Sequence, residues 1–376
     1  WDGEGFAFFT DCLWAAPIGL QVAEGKMAPS RAWEYLLIPG ERLKERNGTY
    51  DLQITEELWE AAYFDEVKLI AVDHPVDTDL YTNEKVGGSE LAAPKLHLVK
   101  HPRRPVAARD KHGRDVLGTV GNRDDVYLRG FDQHITQGLV DDHFLELDLG
   151  KLEDVPKQVT LFLTGWIYPT NTSINVNLWQ HPDLEYPRLP YVQVADGQGG
   201  WKEVQAFMGF PGGKTKTIAV ELPGNVFAAG HYKLRIGTSA EIYWDEVFFT
   251  VDEEPVVGQS PLVKERSLPL VSADLHYRGF SSELPRHPNA PLRFDYQTVT
   301  SEPKWPPMGG YFTRYGDVMP LLTSADDQMV VMGSGDEMTV RFRVPADKPP
   351  PGWERDFILY SVGWDKDADL NTVYGQ

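Results

Sequence analysis

Apolar and polar residues alternate along most of the chain with a period of two. The pattern is clear in residues 159–164 (Val-Thr-Leu-Phe-Leu-Thr), 173–178 (Ser-Ile-Asn-Val-Asn-Leu) and 338–344 (Met-Thr-Val-Arg-Phe-Arg-Val). Such alternation turns one face of a strand towards a core and the other towards solvent, as in antiparallel sheets. Gly, Pro, Asn and Asp separate the runs, which is typical of sandwiches. The pattern therefore predicts an all-β fold of multiple β-sandwich or jelly-roll domains.

One short helix is predicted at 56–63, in the N-terminal region. Thr55 is a capping residue, and Glu56 and Glu57 fall in the positive first turn. Leu58 and Ala62 then pair at i, i+4. Strands are predicted around this helix and later in the same region, at 35–39, 49–54, 66–72 and 125–129.

Breaks in the pattern divide the chain into three β-rich parts and a connector. The connector is a Pro- and Gly-containing stretch without periodicity. The predicted organisation is a β-rich N-terminal region at 1–140, a jelly-roll sandwich at 141–255, a linker at 256–266 and a C-terminal β-rich domain at 267–376.

The net charge of the chain limits the classes of partner that it is expected to bind. The 376 residues include 56 acidic and 36 basic side chains, so the net charge is −20. A surface of this sign disfavours nucleic acid and anionic lipid as partners. No apolar run reaches the roughly 18 residues of a membrane-spanning helix. The expected partners are other protein subunits or domains, with polysaccharide as an alternative.

The sequence lacks the signatures of common cofactors. A single cysteine excludes a disulfide framework, an iron–sulfur cluster and a haem-attachment motif. Residues 209–215 (Gly-Phe-Pro-Gly-Gly-Lys-Thr) resemble a phosphate-binding loop, but Met208 replaces its first glycine and a strand pattern follows. No nucleotide or flavin motif is present, and no catalytic residue is singled out.

An acidic segment near the C-terminus is the candidate metal site. Oxygen side chains occupy every second position, at Asp365, Asp367, Asp369 and Asn371. Calcium prefers six to eight oxygen ligands, and this spacing can wrap a loop around the ion. Leu370 stands where an EF-hand requires glycine, so the segment is not an EF-hand. The alternatives are a calcium site and a solvated acidic turn.

Tryptophans in the predicted jelly roll are candidate ligand-binding residues. An exposed indole offers a flat apolar surface on which a sugar ring can stack. Core packing is the alternative for the same side chains, since they fall on strand patterns. The four residues are Trp166, Trp179, Trp201 and Trp244.

Residues 95–114 carry a positive charge that opposes the rest of the chain. Two interpretations remain open: a basic loop and edge strand that deters edge-to-edge pairing, and a docking patch for an acidic neighbour. The candidate docking residues are Lys100, Arg103, Arg104, Arg109, Lys111 and Arg114.

Several segments together resemble the C-terminal part of bacterial FG-GAP repeat proteins of the cartilage-acidic-protein type, often described with tetratricopeptide or ASPIC/UnbV regions. They include 37–40 (Leu-Ile-Pro-Gly), 67–75 (Val-Lys-Leu-Ile-Ala-Val-Asp-His-Pro), 312–318 (Phe-Thr-Arg-Tyr-Gly-Asp-Val) and 363–372 (Gly-Trp-Asp-Lys-Asp-Ala-Asp-Leu-Asn-Thr). The defining D-x-D-x-D-G-x-x-D loop of the propeller does not occur in this sequence. The resemblance therefore implies a region that follows the propeller in a longer protein.

The resemblance implies a non-enzymatic structural or interaction module of an extracellular or periplasmic protein. Carbohydrate binding by the jelly roll is the alternative function, and a glycoside-acting enzyme is a third. The resemblance supplies no catalytic residue that can be transferred to this chain.

Overall fold

The computed structural model describes residues 1–12, 33–87, 91, 93–152, 154–181, 183, 187–228, 230–256 and 260–368. The chain forms two compact units. The first unit comprises residues 1–78, 257–285 and 292–376, and the second comprises 79–256 and 286–291. Both units consist mainly of antiparallel strands, so the prediction of an all-β fold is confirmed.

Strands make up most of the regular structure along the chain. The first part of the chain contains β1 (Trp33–Ile38), β2 (Glu45–Arg46), β3 (Thr49–Thr55) and β4 (Glu60–Pro75). The middle part contains β5 (Asp79–Thr82), β6 (Lys85–Val86), β7 (Leu96–Val99), β8 (Ala107–Asp110), β9 (Leu128–Arg129), β10 (His134–Thr136), β11 (Leu139–Asp148), β12 (Gln158–Ile167), β13 (Tyr191–Ala195), β14 (Trp201–Gln205), β15 (Phe210–Pro211), β16 (Lys216–Pro223), β17 (Lys233–Ala240) and β18 (Ile242–Val251). The last part contains β19 (Lys264–Leu268), β20 (Leu270–Tyr277), β21 (Phe280–Glu283), β22 (Phe294–Thr300), β23 (Gly316–Asp317), β24 (Val330–Met332), β25 (Asp336–Arg343) and β26 (Trp353–Asp367).

Helical structure among these residues is short. The α-helices are α1 (Leu117–Val120) and α2 (Thr172–Gln180), and the 3₁₀ turns are Gly224–Val226 and Met319–Leu321.

The first unit is a sandwich of two sheets. One sheet has the order β1-β26-β4-β19, with β24 also paired to β4, and the other has the order β2-β3-β25-β20-β23. Alternate side chains from both sheets meet in one apolar core. Leu69 and Leu359 come from the first sheet, and Leu275 and Val340 from the second. The hairpin of β21 and β22 forms a separate small sheet.

The ladder between β4 and β26 is the central strand pairing of the first sheet. It runs from Trp353 opposite Pro75 to Asp367 opposite Glu60. A β-bulge interrupts it between Val362 and Gly363, where Asp65 has no residue opposite. The extra residue shifts the alternation of β4, so that Ala62 and Phe64 before the bulge and Val67, Leu69 and Ala71 after it all belong to the core.

The second unit is also a sandwich. One sheet has the order β10-β11-β17-β13-β14, with β8 paired to β11, and the other has the order β16-β12-β18-β9. The inward side chains of β11, β13 and β17 pack against those of β12, β16 and β18. On the opposite face of β12, Phe162 stacks on Phe248 with ring centroids 4.7 Å apart. The jelly-roll region therefore has the two-sheet packing that its period of two predicts.

Two local predictions were wrong. Residues 60–63, expected in a helix, begin β4, because pairing with β24 and β26 outweighs the helical i, i+4 spacing. Residues 172–180 form α2, although their apolar positions alternate as in a strand. The side chain of Asn171 accepts a hydrogen bond from the Ile174 N–H at 2.9 Å and caps this helix.

The predicted domain boundaries differ from the observed units. The strands expected in separate N-terminal and C-terminal domains belong to one sandwich, in which β3 pairs with β25 and β1 with β26. The second unit begins at Asp79, before the predicted boundary at 141. The chain passes back to the first unit at 256–257, inside the predicted linker, of which 257–259 lie outside the described residues.

A polar cluster around the buried side chain of His74 fixes one end of the β4–β26 ladder. Asp356 accepts hydrogen bonds from the Gly40 N–H at 2.7 Å and from His74 Nε2 at 3.2 Å. A Cβ at Gly40 would lie 1.9 Å from the carbonyl oxygen of Arg355, so only glycine fits there. Burial disfavours protonation of His74, but the hydrogen bond to Asp356 and its negative charge outweigh burial and raise the pKa of His74.

The raised pKa makes the contribution of His74 to stability depend on pH. Protonated His74 stabilises the folded protein below its unfolded pKa of about 6.5, and this contribution is lost as pH rises through the folded pKa. We expect Asp356→Asn to lower the pKa of His74 in an NMR titration. The variant should cost about 1–3 kcal/mol of unfolding free energy at pH 5.5 and less at pH 8. Glu354→Gln, a nearby charge change without a hydrogen bond to His74, is the control, and an equal effect of both variants would contradict the role assigned to Asp356.

Candidate functional site

Three carboxylates converge at the far end of the β4–β26 ladder. Glu60 and Asp367 lie directly opposite each other, and Asp365 lies two residues from Asp367 on the same face of β26. One carboxylate oxygen from each residue lies within 4.8 Å of the others. Like charges opposite each other in an antiparallel pair are destabilising. A bound cation would remove this repulsion.

The carboxylates lie on the face of the sheet that carries the core. Phe357 and Leu359 of β26 belong to the core, and alternation along the strand places Asp365 and Asp367 on the same side. Asp365 lies opposite Ala62, which is buried in that core. The acidic groups therefore extend the core face into a region where ionised oxygens are poorly solvated.

The position beside the core leaves the carboxylate of Asp365 poorly solvated. Its Oδ1 atom is shielded from solvent and has no hydrogen-bond partner among the described residues. Burial, with a smaller contribution from the charge of Asp367, raises the pKa of Asp365 to about 7. A carboxylate oxygen that is shielded from solvent and has no donor among the described residues is the kind of group that a metal ion satisfies.

The donor set suits a hard divalent cation. Carboxylate oxygens are ligands that calcium and magnesium prefer, and calcium accepts both mono- and bidentate carboxylates in a flexible shell of six to eight oxygens. Three carboxylates supply three to six of these oxygens, and water can supply the rest. No histidine or cysteine contributes to this group of described residues, so its chemistry does not resemble a zinc site.

The predicted metal residues are only partly those of this cluster. Asp365 and Asp367 lie together as expected, whereas Asp369 and Asn371 lie outside the described residues. Glu60 was not predicted, because its segment was assigned to a helix. A strand at 60–63 would have placed Glu60 on an alternating face, but only the pairing with β26 brings it to Asp367.

The tryptophan prediction is corrected for two of the four residues. Trp166 is 6% exposed and stacks on Tyr243 with ring centroids 4.6 Å apart. Trp244 is 4% exposed and lies in the core of the second sandwich. Neither ring presents a face to a sugar. The side chain of Trp179 lies outside the described structure. Trp201 is half-buried, and the guanidinium carbon of Arg235 lies 3.9 Å from the centroid of its ring.

The predicted docking patch is partly neutralised within the chain. Lys111 forms ion pairs with Asp132 and Asp141, and Arg114 Nε lies 2.6 Å from Asp110 Oδ2. These two residues are therefore committed to internal partners. The exposed cationic residues of the patch are Lys100, Arg103, Arg104, Arg109 and Arg114.

Comparison of the chain with known protein families, with curated proteins and with solved structures finds no match. The resemblance to FG-GAP proteins therefore stays a prediction. Among the described residues, none of the helices has the length and apolar character needed to cross a lipid bilayer.

The poorly solvated carboxylate of Asp365 leads to a prediction for the stability of the metal-free protein. We expect Asp365→Asn to raise the free energy of unfolding at pH 8 in EDTA by roughly 1–3 kcal/mol. The amide removes a poorly solvated charge, and its NH₂ group can donate to the neighbouring carboxylates. Chemical denaturation measures the change, and Glu302→Gln, which removes an exposed charge elsewhere, should leave stability nearly unchanged. A less stable Asp365→Asn variant would show that the carboxylate is well satisfied without metal.

Proposed function

We propose that this chain is a non-enzymatic structural and interaction module whose first sandwich binds calcium through Glu60, Asp365 and Asp367. The observation that supports it most is the shielded Oδ1 of Asp365, which has no hydrogen-bond partner in the described part of the chain and lies within a group of three carboxylates. The ion would bridge β4 and β26 at the end of their ladder. Calcium would thereby stabilise the sandwich that both ends of the chain build together.

The expected location follows from the affinity of such a site. Three carboxylates completed by water form a weak site, of the type that extracellular modules fill at calcium concentrations of about 10⁻⁴–10⁻³ M. Calcium is scarce inside cells and abundant outside them. An extracellular or periplasmic location therefore agrees with this donor set, and it agrees with the family that the sequence resembles.

Interaction with other proteins is the second part of the proposal. The overall charge of −20 leaves an acidic surface, against which the exposed cations Lys100, Arg103, Arg104 and Arg109 stand out. Opposite charges of this kind orient acidic neighbours, such as further domains of a longer protein. The proposed role is that of a module within a larger assembly.

Calcium titration tests the proposal directly. We expect calorimetry to show binding by the unaltered chain, and we expect Glu60→Gln and Asp367→Asn each to weaken it about tenfold or more, because affinity follows the number of charged ligands. At one calcium concentration, calcium should also raise the melting temperature of the unaltered chain more than that of these variants. Glu302→Gln is the matched control for removal of one negative charge.

A further variant, Asp369→Asn, distinguishes calcium binding by the carboxylates of β4 and β26 from calcium binding by the predicted acidic turn. Asp369→Asn should have a smaller effect than Glu60→Gln if the cluster on the two strands holds the ion. A large effect of Asp369→Asn with none of Glu60→Gln would place the ion in the acidic turn instead. No heat and no thermal shift at roughly 10 mM calcium, above the weakest extracellular sites, would exclude the calcium function.

Carbohydrate binding remains the second candidate, and Trp201 supports it among the tryptophan side chains that the structure describes. This residue begins the edge strand β14 and is half-buried, with Arg235 packed against its ring. An edge position leaves room for a sugar on the other face. If the alternative holds, a glycan array should show selective binding that Trp201→Ala reduces by about tenfold. Buried Trp244 serves as the contrast, because Trp244→Phe should leave glycan binding intact.

A further inference from the structure

A straight row of polar side chains crosses the outward face of the sheet of β11, β17, β13 and β14. The neighbours of Glu146 along β11 point into the core of the second sandwich, so Glu146 points to the opposite side. The pairing registers align the row as Glu146, Arg235, Gln193 and Glu203, one residue from each strand. Directly opposed side chains share a face of the sheet, and four strands span about 14 Å.

Aromatic rings flank this row on both sides. On one side, Phe144 and Tyr191 lie opposite Gly237 from the two neighbouring strands. A Cβ at Gly237 would lie 2.3 Å from the Tyr191 hydroxyl oxygen, so only glycine leaves room for the Tyr191 ring to cover β17 there. On the other side, Trp201 of β14 points outward like Glu203, two residues further along the strand. All three rings are half-buried.

Arg235, at the second position of the row, is held on three sides. Its guanidinium carbon lies 4.2 Å from the ring centroid of Phe144 and 3.9 Å from that of Trp201. Its Nε and Nη2 groups donate to Glu146 Oε2 at 3.0 and 2.8 Å. The two rings and the ion pair fix the plane of the guanidinium group, so little side-chain freedom is left to lose on binding.

Hydrogen-bonding groups of both kinds stay open along the row. Within the described part of the chain, Arg235 Nη1 has no acceptor and Glu146 Oε1 has no donor. The side-chain amide of Gln193 has no hydrogen-bond partner there either. Arg188, which stacks on the Tyr191 ring at 3.9 Å, reaches Glu203 only through Nη2, at 3.5 Å. Open donors and open acceptors therefore alternate across the face.

The charges of this face cancel, which selects the kind of ligand. Glu146 and Glu203 balance Arg188 and Arg235, in a chain whose net charge is −20. A cation would meet the two arginines, and an anion would meet the two glutamates. An uncharged ligand rich in hydroxyl groups meets neither difficulty, because each hydroxyl both donates and accepts a hydrogen bond. The apolar faces of sugar rings also match the aromatic rings beside the row.

We infer that this face binds a neutral linear oligosaccharide, which lies along the polar row and crosses the strands. The face extends the carbohydrate alternative of the proposed function, on which the inference rests, from Trp201 to the whole row. A row of about 14 Å is longer than one sugar ring. A chain of several sugars is therefore the expected ligand, and a monosaccharide fills only part of the row.

Calorimetry with four neutral hexasaccharides and their monosaccharides tests the inference. The probes are cellohexaose, maltohexaose, mannohexaose and xylohexaose, all measured in EDTA so that calcium plays no part. We expect at least one hexasaccharide to bind about tenfold or more tightly than its monosaccharide, because the longer chain makes hydrogen bonds along the whole row. The charged hexagalacturonate should bind more weakly than the neutral chain. Absence of binding by all four hexasaccharides, or tighter binding of hexagalacturonate, would overturn the inference.

Two variants distinguish the row from a single stacking residue. Gln193→Ala removes an open donor and an open acceptor from the row and should weaken binding about fivefold. Gln133→Ala, which removes an exposed glutamine between β9 and β10, is the matched control and should leave the affinity unchanged. Weaker binding by Trp201→Ala with no effect of Gln193→Ala would confine the sugar to Trp201 and overturn the role of the row.

Thermal unfolding shows whether the variants keep their structure. Gln193 and Gln133 make no side-chain hydrogen bond within the described part of the chain, so both variants should unfold as cooperatively as the unaltered chain. Glu60→Gln, which removes a proposed calcium ligand from the first sandwich, should bind the hexasaccharide with unchanged affinity. Failure of the calcium function and failure of the sugar-binding face therefore give different results.

Discussion

The first sandwich depends on the antiparallel ladder between β4 and β26. These strands span 16 and 15 residues, and their paired side chains His74 and Asp356 are 282 positions apart in the chain. Closing a loop of that length costs conformational entropy before any contact compensates for it. The long ladder compensates because it buries one apolar face and supplies the edges on which β1, β19 and β24 pair. Folding of this unit therefore requires both ends of the chain.

The same ladder creates the chemistry at its far end. Its core face carries Phe357 and Leu359 in the middle and continues to Asp365 and Asp367, where the paired strand contributes Glu60. A strand that alternates without interruption must place these carboxylates beside the core. Local conflict of this kind is expected at functional positions, because natural sequences tend to agree with their folds at the other levels.

Among the described residues of the first sandwich, like charges face each other across a ladder at two places. Glu60 opposes Asp367 in one sheet, and Asp274 opposes Asp317 in the other. The environments differ, since Asp365 beside the first pair is shielded by the core whereas the second pair is exposed. The first arrangement suits a dehydrated metal ion held by several oxygens.

Local sequence was enough to predict the fold class and part of the site. Alternation is a local property, and it correctly predicted strands at residues 159–164 and 338–344, although residues 173–178 alternate in the same way and form a helix. Spacing likewise put Asp365 and Asp367 on one face. Which strands pair was settled by tertiary contacts alone. These contacts joined the two ends of the chain in one sandwich, brought Glu60 to Asp367, and buried Trp166 and Trp244. Pairing partners and burial depend on contacts between distant segments, and the period of a single strand carries no information about its neighbour.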